Sequence, residues 1–101
     1  MEAPQGPSYD LAEIQAKVAA GFYVVTMGSL EGAGELRLDR KDIEACIAEL
    51  DEADFYKTMP ATQCPTLMLD VYRPAYLGKL LYVKLQINKA KRAVIVSFKA
   101  R

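Results

Sequence analysis

Apolar positions change period partway along the chain. Leu11, Ile14 and Val18 recur three or four residues apart, the spacing of one helix face. Asp10 and Glu13 stand at capping-box separation, and Gly21 suits the residue just past a helix end. A helix is therefore expected from Ser8 or Asp10 to Ala20. Residues 22–26 form a short β-prone run. Gly28, Gly32 and Gly34 crowd the next stretch, so any helix there is expected to be weak. Asp39 offers an N-cap to a second helix reaching Leu50, with Ile43, Ile47 and Leu50 in helical register and Cys46 adjacent. Asp51 caps a further short turn, expected to run through Phe55 to Met59 until Pro60 stops it.

Beyond Pro60 the period falls to two. Leu67, Leu69 and Val71 alternate with Met68, Asp70 and Tyr72. Leu81, Val83, Leu85 and Ile87 alternate with Tyr82, Lys84 and Gln86. Val94, Val96 and Phe98 alternate with Ile95, Ser97 and Lys99. Three antiparallel strands are expected, over 66–72, 80–88 and 93–99. Helices followed by strands predict an α+β fold, with N-terminal helices packed on one face of a small antiparallel sheet. Pairing Asn88 with Ala93 across the last turn sets Val83 against Phe98, Leu85 against Val96 and Ile87 against Val94. On the opposite face it sets Lys84 against Ser97 and Tyr82 against Lys99.

At 101 residues and 51% hydrophobic, the chain is expected to form one domain over 1–101, with a core and little disorder. Two prolines and a glycine mark 1–7 as a flexible arm. No apolar run exceeds four residues, so no membrane span and no secretion leader are expected, and the expected location is cytoplasmic. Histidine is absent, which excludes a Ser-His-Asp triad, a Cys-His pair and a His-containing zinc site. Cys46 and Cys64 are too few for a Cys-rich zinc site. One disulfide stays open to them, although a cytosolic chain keeps such thiols as small buried hydrophobes. Residues 28–34 lack the Gly-Lys-Ser/Thr ending of a phosphate loop, and Glu31 and Glu35 would repel a phosphate. No metal site and no cofactor is expected.

The net charge of zero hides an asymmetry. Residues 1–54 hold twelve acids and four bases, net −8. Residues 55–101 hold nine bases and one acid, Asp70, net +8. Six of the nine Phe and Tyr residues lie in that second part. A basic half interleaved with aromatics suits a polyanion with stackable bases, whereas a purely solubilising surface mixes its signs. RNA scission needs a group to take the 2′-hydroxyl proton, groups to stabilise the anionic phosphorane and a group to protonate the leaving 5′-oxygen. Lys, Arg and Tyr can serve where His is missing. Lys57 follows the short turn after the second helix, Arg73 ends a strand, and Tyr82, Lys84 and Lys99 project from the sheet, so these five are candidates for one cluster across it. Their plainer roles are helix-end cation for Lys57, strand packing for Tyr82, and pairing with Asp70 for Arg73. Tyr56 and Met59 can border a base or pack a helix end.

The runs Asp54-Phe-Tyr-Lys-Thr-Met59 and Asp70-Val-Tyr-Arg-Pro74, the strand around Tyr82-Val-Lys84, and the ending Ile95-Val-Ser-Phe-Lys99 resemble the MqsR family. The resemblance implies a RelE-like bacterial ribonuclease fold and a toxin of a type II toxin–antitoxin system. It implies a metal-independent mRNA endonuclease with a preference for GCU, working by 2′-hydroxyl attack. It places the catalytic residues at Lys57, Tyr82 and Lys99. Read from the residues themselves, Arg73 and Lys84 are candidate RNA phosphate contacts, and Tyr56 and Met59 candidate RNA contacts that border a base. The implied partners are mRNA and an MqsA-like antitoxin, zinc-binding and with a DNA-binding helix-turn-helix. Family members carry glutamine immediately before the Asp-Val-Tyr segment, where this chain has Leu69, and polar residues and His where it has Cys64-Pro65. Leucine cannot hydrogen-bond a phosphate or base, and Gln63 or Gln86 are candidates to supply the contact. A diverged module that binds RNA or antitoxin without cutting is the alternative.

Overall fold

The computed structural model describes residues 6–62, 64 and 66–101. Residues 1–5 of the expected arm, and Gln63 and Pro65, lie outside the described residues. The element order is α1 (Leu11–Ala19), β1 (Tyr23–Val25), α2 (Met27–Glu35), α3 (Arg40–Glu49), a 3₁₀ turn (Glu52–Asp54), then β2 (Phe55–Pro60), β3 (Met68–Tyr72), β4 (Ala75–Tyr76), β5 (Lys79–Ile87) and β6 (Ala93–Ala100).

The two helices expected from periodicity form as read. Asp10 caps α1 by accepting from the Ala12 amide. Gly21 ends it at φ 79°, and the Gly21 and Phe22 amides donate to the Val18 and Lys17 carbonyls, a Schellman closure that needs the left-handed conformation. Asp39 and Asp42 form a reciprocal capping box on α3. Leu11, Ile14, Val18, Ile43 and Ile47 from these helices meet Tyr72, Leu81, Val83, Leu85, Ile95 and Phe98 from the sheet in one buried cluster. The fold is α+β, with α1 and α3 over one sheet face.

Residues 27–35 depart from the expectation, for they form a full helix. Thr26 caps α2 by accepting from the Ser29 amide, and Ser29 donates from its hydroxyl to the Ile95 carbonyl. The glycines that weaken the helix in isolation permit its docking. A Cβ at Gly32 would stand 2.1 Å from the Phe98 carbonyl oxygen, so only glycine lets the helix rest on the β6 backbone. Tertiary contact overrides propensity here.

The sheet is larger than the three strands expected, and it is mixed. Its order is β1-β6-β5-β3-β2, with β4 paired to β5. β1 runs parallel to β6, and the remaining pairs are antiparallel. Both β3 and β6 are therefore interior, with β1 pairing residues 93–95 of β6. The stretch read as a helical turn through Phe55 to Met59 is instead strand β2 after the short 3₁₀ turn.

The β5–β6 register holds for its first half only. Tyr82 faces Lys99, Val83 faces Phe98 and Lys84 faces Ser97 as expected. A bulge then makes Val96 the extra residue, so Leu85 faces Ile95 and Ile87 faces Ala93. Ile95 joins the core in place of Val96. Three consecutive apolar residues, Val94-Ile95-Val96, let the strand slip by one without losing a buried hydrophobe.

Candidate active site

The sheet face opposite α1 and α3 is built from cross-strand rows. Lys57 pairs with Val71, Val71 with Lys84, and Lys84 with Ser97, so one row crosses four strands. Paired residues share a face. The next row toward the C-terminal end of β6 holds Tyr82 and Lys99. Continuing the β3–β5 register puts Arg73 beside Tyr82. A second bulge, in β2 between Phe55 and Lys57, turns Phe55 toward the core and leaves Tyr56 and Lys57 together on the open face. The helix-end reading of Lys57, Tyr56 and Met59 fails, because all three belong to a strand.

These residues line a shallow basin of about 560 Å³ with Tyr56, Lys57, Arg73, Tyr82, Lys84, Lys99 and Arg101 around it. Two tyrosine rings form its spine. Tyr56 and Tyr82 meet edge to face with centroids 6.4 Å apart. The Arg73 guanidinium lies 4.5 Å from the Tyr56 ring centre and the Lys57 ammonium 5.6 Å from it. Lys84 and Lys99 stand 5.8 and 5.7 Å from the Tyr82 ring centre. Each ring face draws cations through its quadrupole, which holds like charges near one another without a carboxylate between them.

The lining contains five cations and no acid among the described residues. Asp70 is the sole acid of the second half, and the fold turns it away. It pairs with Thr58 and Leu85, is fully buried, and accepts from the Ser8 and Tyr9 amides at 2.9 Å each. That bond pins the end of the N-terminal arm, and it replaces the pairing with Arg73 considered from sequence. The basin is thus left with unbalanced positive charge facing water, suited to a phosphodiester.

The structure brings Lys57, Tyr82, Lys99, Arg73, Lys84 and Tyr56 to one place. Met59 stands one row further on, opposite Leu69. Leu69 itself faces the open side, beside Lys84, Gln86 and Val96, and not the helical core. Arg101 went unread from sequence, although it continues the Ser97, Lys99 alternation. It also donates from its guanidinium to the Arg73 carbonyl at 3.2 Å, which ties the end of β6 to the end of β3.

Cys46 and Tyr72 are withdrawn from this face, whereas Cys64 is half-buried on it, near Leu69 and Gln86. Cys46 and Cys64 are free thiols, and burial pushes Cys46 up to about 12. Burial likewise pushes the Tyr72 phenol up to about 12, on the helix side of the sheet. Among the described residues no three His, Cys, Asp or Glu gather as a metal would require. No helix among them is long and apolar enough to cross a membrane.

A family model described as motility quorum-sensing regulator, toxin of MqsA, matches residues 6–100. The mRNA interferase toxin MqsR of Escherichia coli (strain K12) is 35% identical over 95 residues, covering 94% of this chain and 95% of that protein.

Proposed function

The chain belongs to the MqsR toxin family, and from that premise we propose that this mRNA interferase toxin, an endoribonuclease, cuts its substrate in the basin between Tyr56 and Tyr82. The observation that carries the reading is the convergence of five cations and two phenols, with no carboxylate, on one open sheet face.

The cleavage we propose is internal transesterification. The ribose 2′-hydroxyl gives up its proton and its oxygen bonds to phosphorus. The bond from phosphorus to the 5′-oxygen breaks, and that oxygen takes up a proton. The products are a 2′,3′-cyclic phosphate and a 5′-hydroxyl. Lys57, Tyr82 and Lys99 are the catalytic residues of this scheme. Lys57 and Lys99 sit against opposite rings of the pair, so a phosphate held between the tyrosines has an ammonium on each side. Those charges stabilise the dianionic phosphorane more than the monoanionic ground state, which is what lowers the barrier. Tyr82 contributes a hydroxyl for proton transfer. Arg73 and Lys84 hold the flanking phosphates, and Tyr56 offers a ring for stacking. No step calls on a metal or cofactor.

A toxin of this kind has mRNA as substrate and an antitoxin as partner. We propose an MqsA-like antitoxin, whose zinc would be its own, and a cytoplasmic site of action. GCU-like sites are the expected targets. End-group analysis tests the chemistry directly. Fragments should accept 5′-phosphorylation by a kinase without prior phosphatase treatment, and fragments carrying 5′-phosphate would overturn the scheme.

A further inference from the structure

Two residues along the strands from the catalytic rows, the same open face changes character. Met59 pairs with Leu69 and Gln86 with Val94. The register that sets Asp70 against Leu85 brings Leu69 level with Gln86. A second shallow basin of about 450 Å³ opens there, with Thr26, Leu69, Lys84, Gln86, Val94 and Val96 in its lining. Lys84 borders both basins. Two strand residues span about 7 Å, close to the step from one nucleotide to the next in an extended single strand.

We infer that this second basin is a nucleobase subsite, in which a base beside the cleaved phosphate lies on Val94 and Val96 and is read at its edge by the Gln86 amide. The inference rests on the proposed cleavage in the first basin and adds the determinant of where it occurs. The charge pattern separates the two basins. The first has five cations in its lining, while the second has Lys84 as its one charged residue among those described. A phosphate belongs in the first and an uncharged ring in the second.

The β6 bulge is what builds the second floor. In an unbroken ladder Val96 would face Leu85 and enter the core. The extra residue turns it to the open side, and Val94 with it. Bulges commonly re-aim a side chain next to a site. Here the re-aiming brings two branched side chains to the open face beside Leu69. Leu69, only 6% exposed, lies beneath them as part of the floor.

Of the uncharged polar side chains described in the lining, Thr26, Thr62, Cys64, Gln86 and Ser97, Gln86 carries the one primary amide. The Thr26 hydroxyl donates to the Val96 carbonyl at 2.9 Å and is already committed. Among the described residues no hydrogen bond engages the Gln86 side chain, which is half-buried in the lining. A primary amide presents a donor and an acceptor side by side, the pattern that matches one edge of an unstacked base. Lys84 at the boundary can hold the phosphate that joins the two subsites.

Two readouts test this. In the first, wild type and Gln86→Ala cut the same long mixed-sequence RNA, and each cut-site profile is normalised to its own total. The expectation is a base preference at one position beside the cut, flattened at least fivefold by the substitution. In the second, DNA tetranucleotides of A, C, G or T alone, which lack the attacking hydroxyl, are titrated against both proteins. Wild type should favour one base at least fivefold, Gln86→Ala should bind all four within twofold, and Gln86→Glu should change which base is preferred. An unchanged preference in Gln86→Ala, or equal binding of all four by wild type, overturns the subsite. Intact RNA together with a Gln86-dependent base preference would overturn the cleavage reading and uphold the subsite.

Discussion

Tyr82 faces Lys99 across the β5–β6 pair, with the ammonium 5.7 Å from the centre of the phenol ring. The pair sits two rows before the last regular row, Lys84–Ser97, where the ladder is unbroken on both strands. Removing the hydroxyl alone separates proton transfer from packing. Tyr82→Phe should lower the cleavage rate about 100-fold or more while leaving the melting temperature near that of the wild type. Single-turnover cleavage beside a thermal melt checks both halves.

Binding should respond to salt in proportion to the phosphates neutralised. With three phosphates held by the basin cations, the logarithm of RNA affinity should fall with the logarithm of salt at a slope near −2, from about −0.7 per contact on a single strand. Lys84→Ala should make the slope shallower by about 0.7. Fluorescence titrations of an uncleavable oligonucleotide across a salt series supply the slopes.

Gly32 should be intolerant of even one methyl group. The added Cβ meets a backbone carbonyl that has no rotamer to escape into. Gly32→Ala is expected to cost about 1–3 kcal/mol through displacement of α2 from β6, although alanine favours the helix by itself. Urea denaturation would show a lower midpoint, and a rise would contradict the close approach.

Asp70 holds two backbone amides from a fully buried position. Asp70→Ala leaves both donors without their acceptor and should cost about 3 kcal/mol. The end of the arm should open first, giving faster protease cleavage near Ser8 than in the wild type. Equal protection in both proteins would contradict the pinning role.

The Asp42–Tyr76 contact predicts a pH dependence at both ends of the scale. The Asp39 amide and the Tyr76 hydroxyl hold the Asp42 carboxyl below its ordinary 3.8. A depressed carboxylate stabilises the fold above its unfolded value, and that contribution disappears as pH falls through the folded one. Burial, and then the Asp42 hydrogen bond, push the Tyr76 phenol up to about 12. A raised phenol keeps its stabilising contribution below pH 10 and loses it between about 10 and 12. Urea midpoints against pH should show the wild type losing stability faster than Tyr76→Phe on the alkaline side.

Much of this geometry was legible where period and caps agreed. Asp10, Gly21, Asp39 and the alternation of β5 each state their structure locally, and the Tyr82–Lys99 pairing follows from the turn at 88–93. What escaped reading depended on contacts distant in sequence. The glycines of α2 make sense only against the Phe98 carbonyl. The strand at Tyr56 and Lys57 is masked because a bulge breaks its alternation just after a genuine capping signal at Asp51. The β6 slip was invisible because Val94, Ile95 and Val96 are interchangeable to a pattern of apolar and polar. The catalytic candidates were therefore found by residue type and family resemblance, whereas the second basin emerged only with the bulge.

The most direct test of the account is cleavage of a long mixed-sequence RNA in EDTA by wild type and by Lys99→Ala, read by primer extension. Discrete stops from the wild type, reduced at least 100-fold in Lys99→Ala, are the predicted result. Equal cutting by the two proteins would contradict the assignment of Lys99 to catalysis. Intact RNA in both would contradict metal-independent cleavage of free RNA in this basin.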